Sequence, residues 1–313
     1  THGPWHTAWN LSVASILCRE NKDKRTDNMK PHRLLTAALF FCSCLTSAMT
    51  ASAGEKLDAS KATPSDDGKI LWYDVQNLDV EGRAFNDTKA FYDRLPASAE
   101  KTVRGAVWGL SRHSAGMCAR FVTDATVIHA RWTLTSSRLA MPHMPATGVS
   151  GLDLYVKTAK GRWRWLANGR PTKQTNSVRL AGGIPKGTRE YMLYLPLYNG
   201  VTSVEIGIAA DNKLSQAKPR ASGRVKPLLF YGTSITQGGC ASRPGMVHTA
   251  ILGRWLDVPV LNFGFSGNGK LEPELGVLYA KLDPAVYVLD CLPNMNAAEV
   301  AKNTEPFVRI LRK

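Results

Sequence analysis

The chain has 313 residues, enough for one large domain or two ordinary ones, and 44% of them are hydrophobic, which is sufficient for a sizeable core. The formal net charge is +15, and such a charge can attract nucleic acid or an anionic surface. The lysines and arginines are nevertheless scattered and accompany no nucleic-acid-binding module, so we expect a solvated basic surface and no nucleic-acid partner.

The N-terminal segment has the order of features that is typical of a secretory signal peptide. Met29 opens a short basic region, an apolar stretch follows, and a small Ala-x-Ala site ends at Ala53. The apolar stretch is too short and too rich in Ser, Thr and Cys for a stable membrane anchor. We therefore expect a signal peptide over 29–53, a non-native upstream extension over 1–28, and a secreted or periplasmic mature protein.

Three cysteines follow the expected cleavage site, namely Cys118, Cys240 and Cys291. Their spacing fits neither a disulfide framework nor a zinc site. We therefore expect small buried side chains with at most one disulfide, and no bound metal.

Residues 55–210 carry the pattern of β-strands. The segments TVRGAVWGL, MCARFVTD and TVIHARWTL alternate apolar and polar residues between turn residues. In GLDLYVKTAKGRWRWLANG the alternation predicts a hairpin that turns at Lys160 and Gly161. Strands at this spacing predict an all-β domain, a β-sandwich of the jelly-roll kind.

The pattern changes after a polar and basic segment, residues 211–223, which we interpret as a linker. The apolar segments KPLLFYG, VPVLNFG and AVYVLDCL are followed by helical stretches over about 246–256, 272–282 and 297–312. This βαβαβα order predicts a parallel sheet with helices on both faces, that is, a three-layer α/β/α domain over 224–313.

Chemically useful residues stand at the ends of the three predicted parallel strands, where such sheets place their active sites. Ser234 follows the first strand and precedes a helix, Gly267 lies in the loop after the second, and Asn294 follows the third. A serine becomes a nucleophile when a base takes its proton. The backbone N–H groups of Ser234 and Gly267 and the side-chain amide of Asn294 can stabilise an oxyanion. Each residue alone is equally typical of a turn.

As an ordered set, these segments resemble the SGNH (GDSL-like) hydrolases. Gly-Thr-Ser at 232–234 stands where that family has Gly-Asp-Ser, FSGNG at 265–269 matches its glycine block, and LDCLPNM at 289–295 supplies the asparagine of its third block. GLDLY at 151–155 is similar to the Gly-x-Asp-Leu-Tyr segment of a β-domain that precedes such hydrolases. The resemblance covers residues 70–313.

This resemblance implies a serine esterase without a cofactor, in which Ser234 is the nucleophile and Ser234, Gly267 and Asn294 form the oxyanion hole. Members with an N-terminal β-sandwich often remove acetyl groups from carbohydrates, so a carbohydrate or small-molecule ester is the expected substrate.

The chain departs from the family pattern at the general base. That base belongs to an Asp-x-x-His block, yet none of the seven histidines has an aspartate three residues before it. We therefore expect a fragment that lacks this block, has an incomplete α/β/α domain and is nearly inactive. His113 is a candidate base only if the chain is complete, and His248, on the helix after Ser234, is expected to pack or face solvent.

Two other readings use different residues. GFSGNGK at 264–270 follows a strand as a phosphate-binding loop does, but Leu271 stands where the magnesium-binding hydroxyl would be. The alternative function is a non-catalytic carbohydrate-binding protein with a degenerate hydrolase remnant. Its sugar-stacking face would consist of Trp108, Trp132, Trp163 and Trp165, which are otherwise expected to be core or edge aromatics.

Overall fold

The computed structural model describes residues 54–313, so the predicted upstream extension (1–28) and signal peptide (29–53) lie outside the described residues. The strands are β1 (Thr63–Pro64), β2 (Ile70–Asp74), β3 (Asp79–Glu81), β4 (Cys118–Thr123), β5 (Val127–Leu134), β6 (Leu152–Lys157), β7 (Trp163–Gly169), β8 (Thr175–Gly182), β9 (Arg189–Tyr194), β10 (Val201–Ala209), β11 (Leu214–Gln216), β12 (Leu228–Gly232), β13 (Val260–Gly264) and β14 (Val286–Asp290). The helices are α1 (Gly105–Ser111), α2 (Ala146–Val149), α3 (Ser234–Gln237), α4 (His248–Leu256), α5 (Pro273–Tyr279) and α6 (Ala297–Leu311).

Two antiparallel sheets form the N-terminal β-sandwich. One has the order β1-β2-β10-β5-β8, and the other has the order β11-β4-β9-β6-β7 with β3 beside β4. Alternate residues of β5, from Ile128 to Leu134, are buried, and they meet buried residues of β4, β6 and β9 in one apolar core. This arrangement confirms the predicted sandwich, because alternation of period two places every second side chain between the sheets.

The structure corrects two details of the sequence interpretation. TVRGAVWGL, predicted to be a strand, contains helix α1. Its apolar residues Val103, Val107 and Leu110 also fit helical spacing, and they pack against the core of the C-terminal sheet instead of the sandwich. The segment predicted to be a linker contains strand β11, because Leu214 is drawn into the sandwich core.

A parallel sheet with helices follows, as predicted. Its strand order within the described residues is β13-β12-β14, and Gly232 at the end of β12 lies beside Gly264 and Asp290. Strand β12 is apolar on both sides because both faces are covered. Helices α5 and α6 pack on the face that carries Tyr231, whereas α4 lies on the opposite face, where His248 contacts Phe230.

The segment that runs from the end of β3 through α1 also covers the parallel sheet. Leu95, Ala99 and Val107 are buried in the same core as residues of β12 and β13. Arg94, which is fully buried, donates hydrogen bonds to the carbonyl oxygens of Asn262 (2.9 Å) and Gly264 (2.8 Å) on β13. The N-terminal region therefore completes the core on which the candidate site rests.

Within residues 54–313, no helix has the length and apolar character that a transmembrane segment needs. Cys118 and Cys291 are buried, Cys240 is exposed, and these three cysteines form no disulfide.

Candidate active site

Ser234 is the first residue of α3 and directly follows strand β12. The hydroxyl of Thr233, the residue before it, accepts a hydrogen bond from the Ile235 N–H (3.3 Å) and so caps the helix. The strand-to-helix turn leaves Ser234 half-buried at the carboxyl edge of the sheet. Its hydroxyl thus lies at a helix N-terminus, where developing negative charge is favoured.

Two backbone donors at this edge have no acceptor. The N–H groups of Ser234 and Gly267 make no hydrogen bond with any residue in the range 54–313. Gly267 is exposed, and its φ of +69° lies in the left-handed region that glycine adopts without strain. A Cβ atom there would meet nothing within 4 Å, so the space beside this loop is open. Unpaired N–H groups beside open space are what an oxyanion hole requires.

Asn294 lies against the same loop, as the third predicted site residue. With its amide oxygen toward the loop, it accepts hydrogen bonds from the Asn268 N–H (3.0 Å) and the Gly269 N–H (3.1 Å). In this orientation, Nδ2 of Asn294 lies on the side of the amide away from the Asn268 and Gly269 N–H groups. The loop is held close to β12, because a Cβ atom on Gly269 would be 2.2 Å from the carbonyl oxygen of Gly232.

Gln237 connects the Ser234 helix to the Gly267 loop. Its Oε1 accepts a hydrogen bond from the Ser266 N–H (3.0 Å), and its Nε2 donates to the Leu197 carbonyl oxygen (3.2 Å). The same Nε2 lies 3.0 Å from Nδ1 of His113. The N-terminal region therefore fixes the amide that holds the loop beside Ser234.

The Ser234 helix is also tied to the strand that leads to Asn294. The Thr236 hydroxyl donates to Oδ2 of Asp290 (2.8 Å), the last residue of β14. The structure thus brings the segments of Ser234, Gly267 and Asn294 together at one edge of the sheet. Their catalytic roles stay a prediction.

The Ser234 hydroxyl has no hydrogen-bond partner among the described residues. His113, the candidate base, faces Gln237, and burial, with the charge of Arg94, lowers its pKa to about 4. His248 packs edge-on against Phe230, and burial lowers its pKa as well. Both imidazoles pack against neighbouring side chains, and neither forms a hydrogen bond with Ser234.

The other sequence candidates have structural partners. Lys270, the lysine of the phosphate-loop pattern, forms an ion pair with Glu299 (3.1 Å). The four tryptophans of the carbohydrate-binding alternative do not share one face. Trp132 is buried in the sandwich core and Trp108 packs on the C-terminal core, whereas Trp163 and Trp165 lie together on β7.

The comparisons with known proteins agree with this arrangement. Residues 70–214 match the family described as the GxDLY N-terminus of SGNH hydro-type esterases, and residues 225–313 match the GDSL-like lipase/acylhydrolase family. A protein of Bacteroides ovatus ATCC 8483 assigned to the GDSL-like lipases is 33% identical, with a TM-score of 0.73 over 78% of this chain and 70% of its own. The chain belongs to the SGNH (GDSL-like) hydrolase family. The predicted resemblance is thereby confirmed.

A second solved structure is similar in fold alone. A salicylyl-acyltransferase from a tetracycline biosynthetic pathway is 18% identical, with a TM-score of 0.56 over 80% of this chain and 68% of its own. No match was found among the curated proteins.

The Gly-x-Asp-Leu-Tyr segment of this SGNH hydrolase joins the sandwich to the loop that follows Ser234. The carboxylate of Asp153, which is fully buried, accepts hydrogen bonds from the Gly245 N–H (2.9 Å) and the Trp165 Nε1–H (2.9 Å), and it lies 3.3 Å from Nε of Arg243. Burial raises the pKa of Asp153 to about 6, although the Gly245 and Arg243 contacts oppose the shift. Our sequence reasoning used this motif only as a resemblance. The signal in the sequence was an aspartate on an otherwise apolar strand, because a carboxylate buried there needs hydrogen-bond donors.

Proposed function

We propose that this SGNH hydrolase is a serine esterase in which Ser234 attacks an ester carbonyl. The observation that carries the proposal is the pair of unpaired N–H groups, of Ser234 and Gly267, on segments joined by Gln237 beside the Ser234 hydroxyl. Nδ2 of Asn294 is the third donor. Together they would stabilise the negative charge that develops on the carbonyl oxygen when the tetrahedral intermediate forms.

The reaction needs a base that residues 54–313 do not present to Ser234. The serine oxygen bonds to the carbonyl carbon, the serine proton goes to the base, and the base then protonates the departing alcohol. Water repeats the sequence and releases the acid. With oxyanion donors and binding alone, catalysis falls to on the order of 10³–10⁴ over water. We therefore infer that the 313-residue chain is nearly inactive by itself.

The substrate is a small or carbohydrate ester in this proposal. The support is the family resemblance together with the exposure of the site at the edge of the sheet, where Ile235 beside the nucleophile is 56% exposed. An open edge admits an ester on a bulky alcohol such as a sugar.

Hydrolysis of p-nitrophenyl acetate, with imidazole added as an external base, tests the proposal. Imidazole hydrolyses this ester by itself, so every rate is measured above that of the same imidazole solution without protein. We expect a protein-dependent rate near background without imidazole and an increase with it, because a small base can reach the open edge. Ser234→Ala should abolish this protein-dependent increase, whereas Ser242→Ala, which removes an exposed hydroxyl in the following loop, should retain it. A protein-dependent increase that survives Ser234→Ala would contradict the assignment.

Export is a separate part of the proposal. The basic region, the apolar stretch and the Ala-x-Ala site support cleavage after Ala53 and a secreted or periplasmic protein. Mass analysis of protein expressed from Met29 should show an N-terminus at Gly54. Periplasmic material that retains Met29 would contradict it.

A further inference from the structure

A groove of about 650 Å³ lies between the β6–β7 hairpin and the last turns of α4. It shares no residue with the Ser234 site. Helix α4 leads the chain back from the carboxyl edge of the parallel sheet to the start of β13, and Trp255 stands at that end of the helix. We refer to it as the Arg/Trp groove.

The Arg/Trp groove is strongly basic. Its lining includes five arginines, which are Arg162, Arg164, Arg224, Arg243 and Arg254. Asp257 is the acidic residue of the lining, and it is already paired with Arg220 (2.6 Å) and with Arg224 (3.7 Å). The exposed side chain of Arg162 has no ion pair within the described part of the chain. Arg243 is paired with the buried carboxylate of Asp153 (3.3 Å). The three guanidinium groups other than those of Arg224 and Arg243 have no carboxylate partner among the described residues, and they can bind carboxylate and sulfate through paired hydrogen bonds.

Aromatic surfaces lie among these cations. Trp163 and Trp165 are two residues apart on β7 and so share a face of the strand. Trp255 is 77% exposed and Trp165 is 49% exposed, a large apolar area for the surface of a protein. Such indole surfaces stack on flat apolar faces, including the C–H faces of sugar rings.

Unsatisfied donors provide an independent indication of a ligand. Nε1 of Trp163 and Nη1 of Arg254 are buried atoms without a hydrogen-bond partner in residues 54–313. Both residues line the groove. Buried donors are nearly always paired in native proteins, so a cluster of unpaired ones calls for an acceptor.

We propose that the Arg/Trp groove binds a short anionic oligosaccharide, one that carries carboxylate or sulfate groups. The indole faces hold the sugar rings, the guanidinium groups pair with the anions, and hydroxyl oxygens accept from the unpaired donors. The size of the groove is that of a small-ligand site, whereas a single nucleic-acid strand usually occupies a longer path. The proposal rests on the groove alone and holds whether or not Ser234 is catalytic.

Isothermal titration calorimetry with defined sugars tests this inference on the 313-residue chain. The probes are trigalacturonate, a sulfated chondroitin disaccharide, neutral cellotriose and a short single-stranded oligonucleotide. We expect at least one anionic sugar to bind about tenfold or more tightly than cellotriose, the difference expected from one charge-assisted contact. The two anionic sugars distinguish carboxylate from sulfate recognition.

Matched variants locate the binding. Arg162→Gln and Trp255→Ala change exposed side chains and should each weaken the anionic sugar about tenfold. Lys302→Gln and Val277→Ala remove an exposed charge and an exposed apolar side chain on α6 and α5, and they should leave binding unchanged. Ser234→Ala should bind normally.

Four results would overturn the proposal. They are equal binding of cellotriose and the anionic sugars, equal weakening by the control variants, tighter binding of the oligonucleotide than of either anionic sugar, and absence of binding by every probe.

Discussion

The sandwich core and the core of the parallel sheet are completed in different ways. Every buried member of the sandwich core lies between Tyr73 and Leu214, so that region closes its own interior. The core around β12 and β13 instead takes Leu95, Ala99 and Val107 from the N-terminal side of the chain. A boundary near residue 224 therefore separates two sequence patterns without separating two independent cores.

The shared core reaches the candidate site. Arg94 bonds to the carbonyl oxygens of β13, and His113 bonds to the amide of Gln237, which holds the loop of Gly267. The N-terminal region thus supplies structural support for the oxyanion donors, whereas the sandwich core makes no such contact. Substitutions in the two regions should separate these roles.

The largest expected effect is at Arg94, which joins the two regions. Arg94→Met would leave the carbonyl oxygens of Leu110, His113, Asn262 and Gly264 without their buried donor. We expect a loss of about 3–5 kcal/mol in the free energy of unfolding. Urea unfolding measures it.

The control for that substitution lies on the sandwich. Arg131 pairs with Glu205 on neighbouring strands and is partly exposed, so Arg131→Met should cost about 1 kcal/mol or less. Equal losses in the two variants would contradict the distinction between the shared core and the sandwich.

A smaller effect is expected from His113 and depends on pH. The folded protein keeps this imidazole neutral with a pKa of about 4, whereas the unfolded chain protonates it near its ordinary value of 6.5. The stability that it contributes is therefore complete above pH 6.5 and is lost as the pH falls toward 4. Between pH 7 and pH 5 the parent should lose about 2 kcal/mol more than His113→Gln.

Urea unfolding of the two proteins at both pH values gives this difference. His143→Gln, at an exposed histidine of the N-terminal region, should retain the pH dependence of the parent. A parent and a His113→Gln variant with the same pH dependence would show that His113 is not held neutral.

The smallest expected loss of stability is at two glycines, and comparing them separates an effect on folding from an effect on the candidate site. Gly267 and Gly68 both have a positive φ, +69° and +65°, and a Cβ atom on either would meet nothing within 4 Å. Alanine at either position should cost about 1 kcal/mol in the free energy of unfolding. Only Gly267→Ala should also lower imidazole-supported hydrolysis, because only that loop carries an oxyanion donor. Equal hydrolysis by both variants would show that Gly267 supplies no oxyanion donor.

The sequence predicted those features that local patterns determine. Alternation identified the strands of the sandwich, and the rule that parallel strand ends share an edge placed Ser234, Gly267 and Asn294 on neighbouring segments. Helix α1 was mistaken for a strand because Val103 and Val107 are compatible with both periods. The contacts of Arg94 and His113 with the parallel sheet could not be predicted, because no local pattern specifies a partner more than 100 residues away in the chain.

The role of Asp153 shows the same limit. Its motif was recognisable, but its function as the buried acceptor for Gly245 and Trp165 depends on how β6 packs against the loop after Ser234. Burial energetics indicate that such a carboxylate needs donors. They do not indicate which segment supplies them.

Labelling by a fluorophosphonate tests the central claim most directly, that Ser234 is a nucleophile without a base in contact with it. The reagent bonds to an activated serine oxygen, and mass analysis of the digested 313-residue chain locates the adduct. We predict weak labelling at Ser234 alone, stronger labelling at Ser234 when imidazole is added, and none at that position in Ser234→Ala. Strong labelling of Ser234 without imidazole would contradict the account, since a base within the chain would then have to activate it.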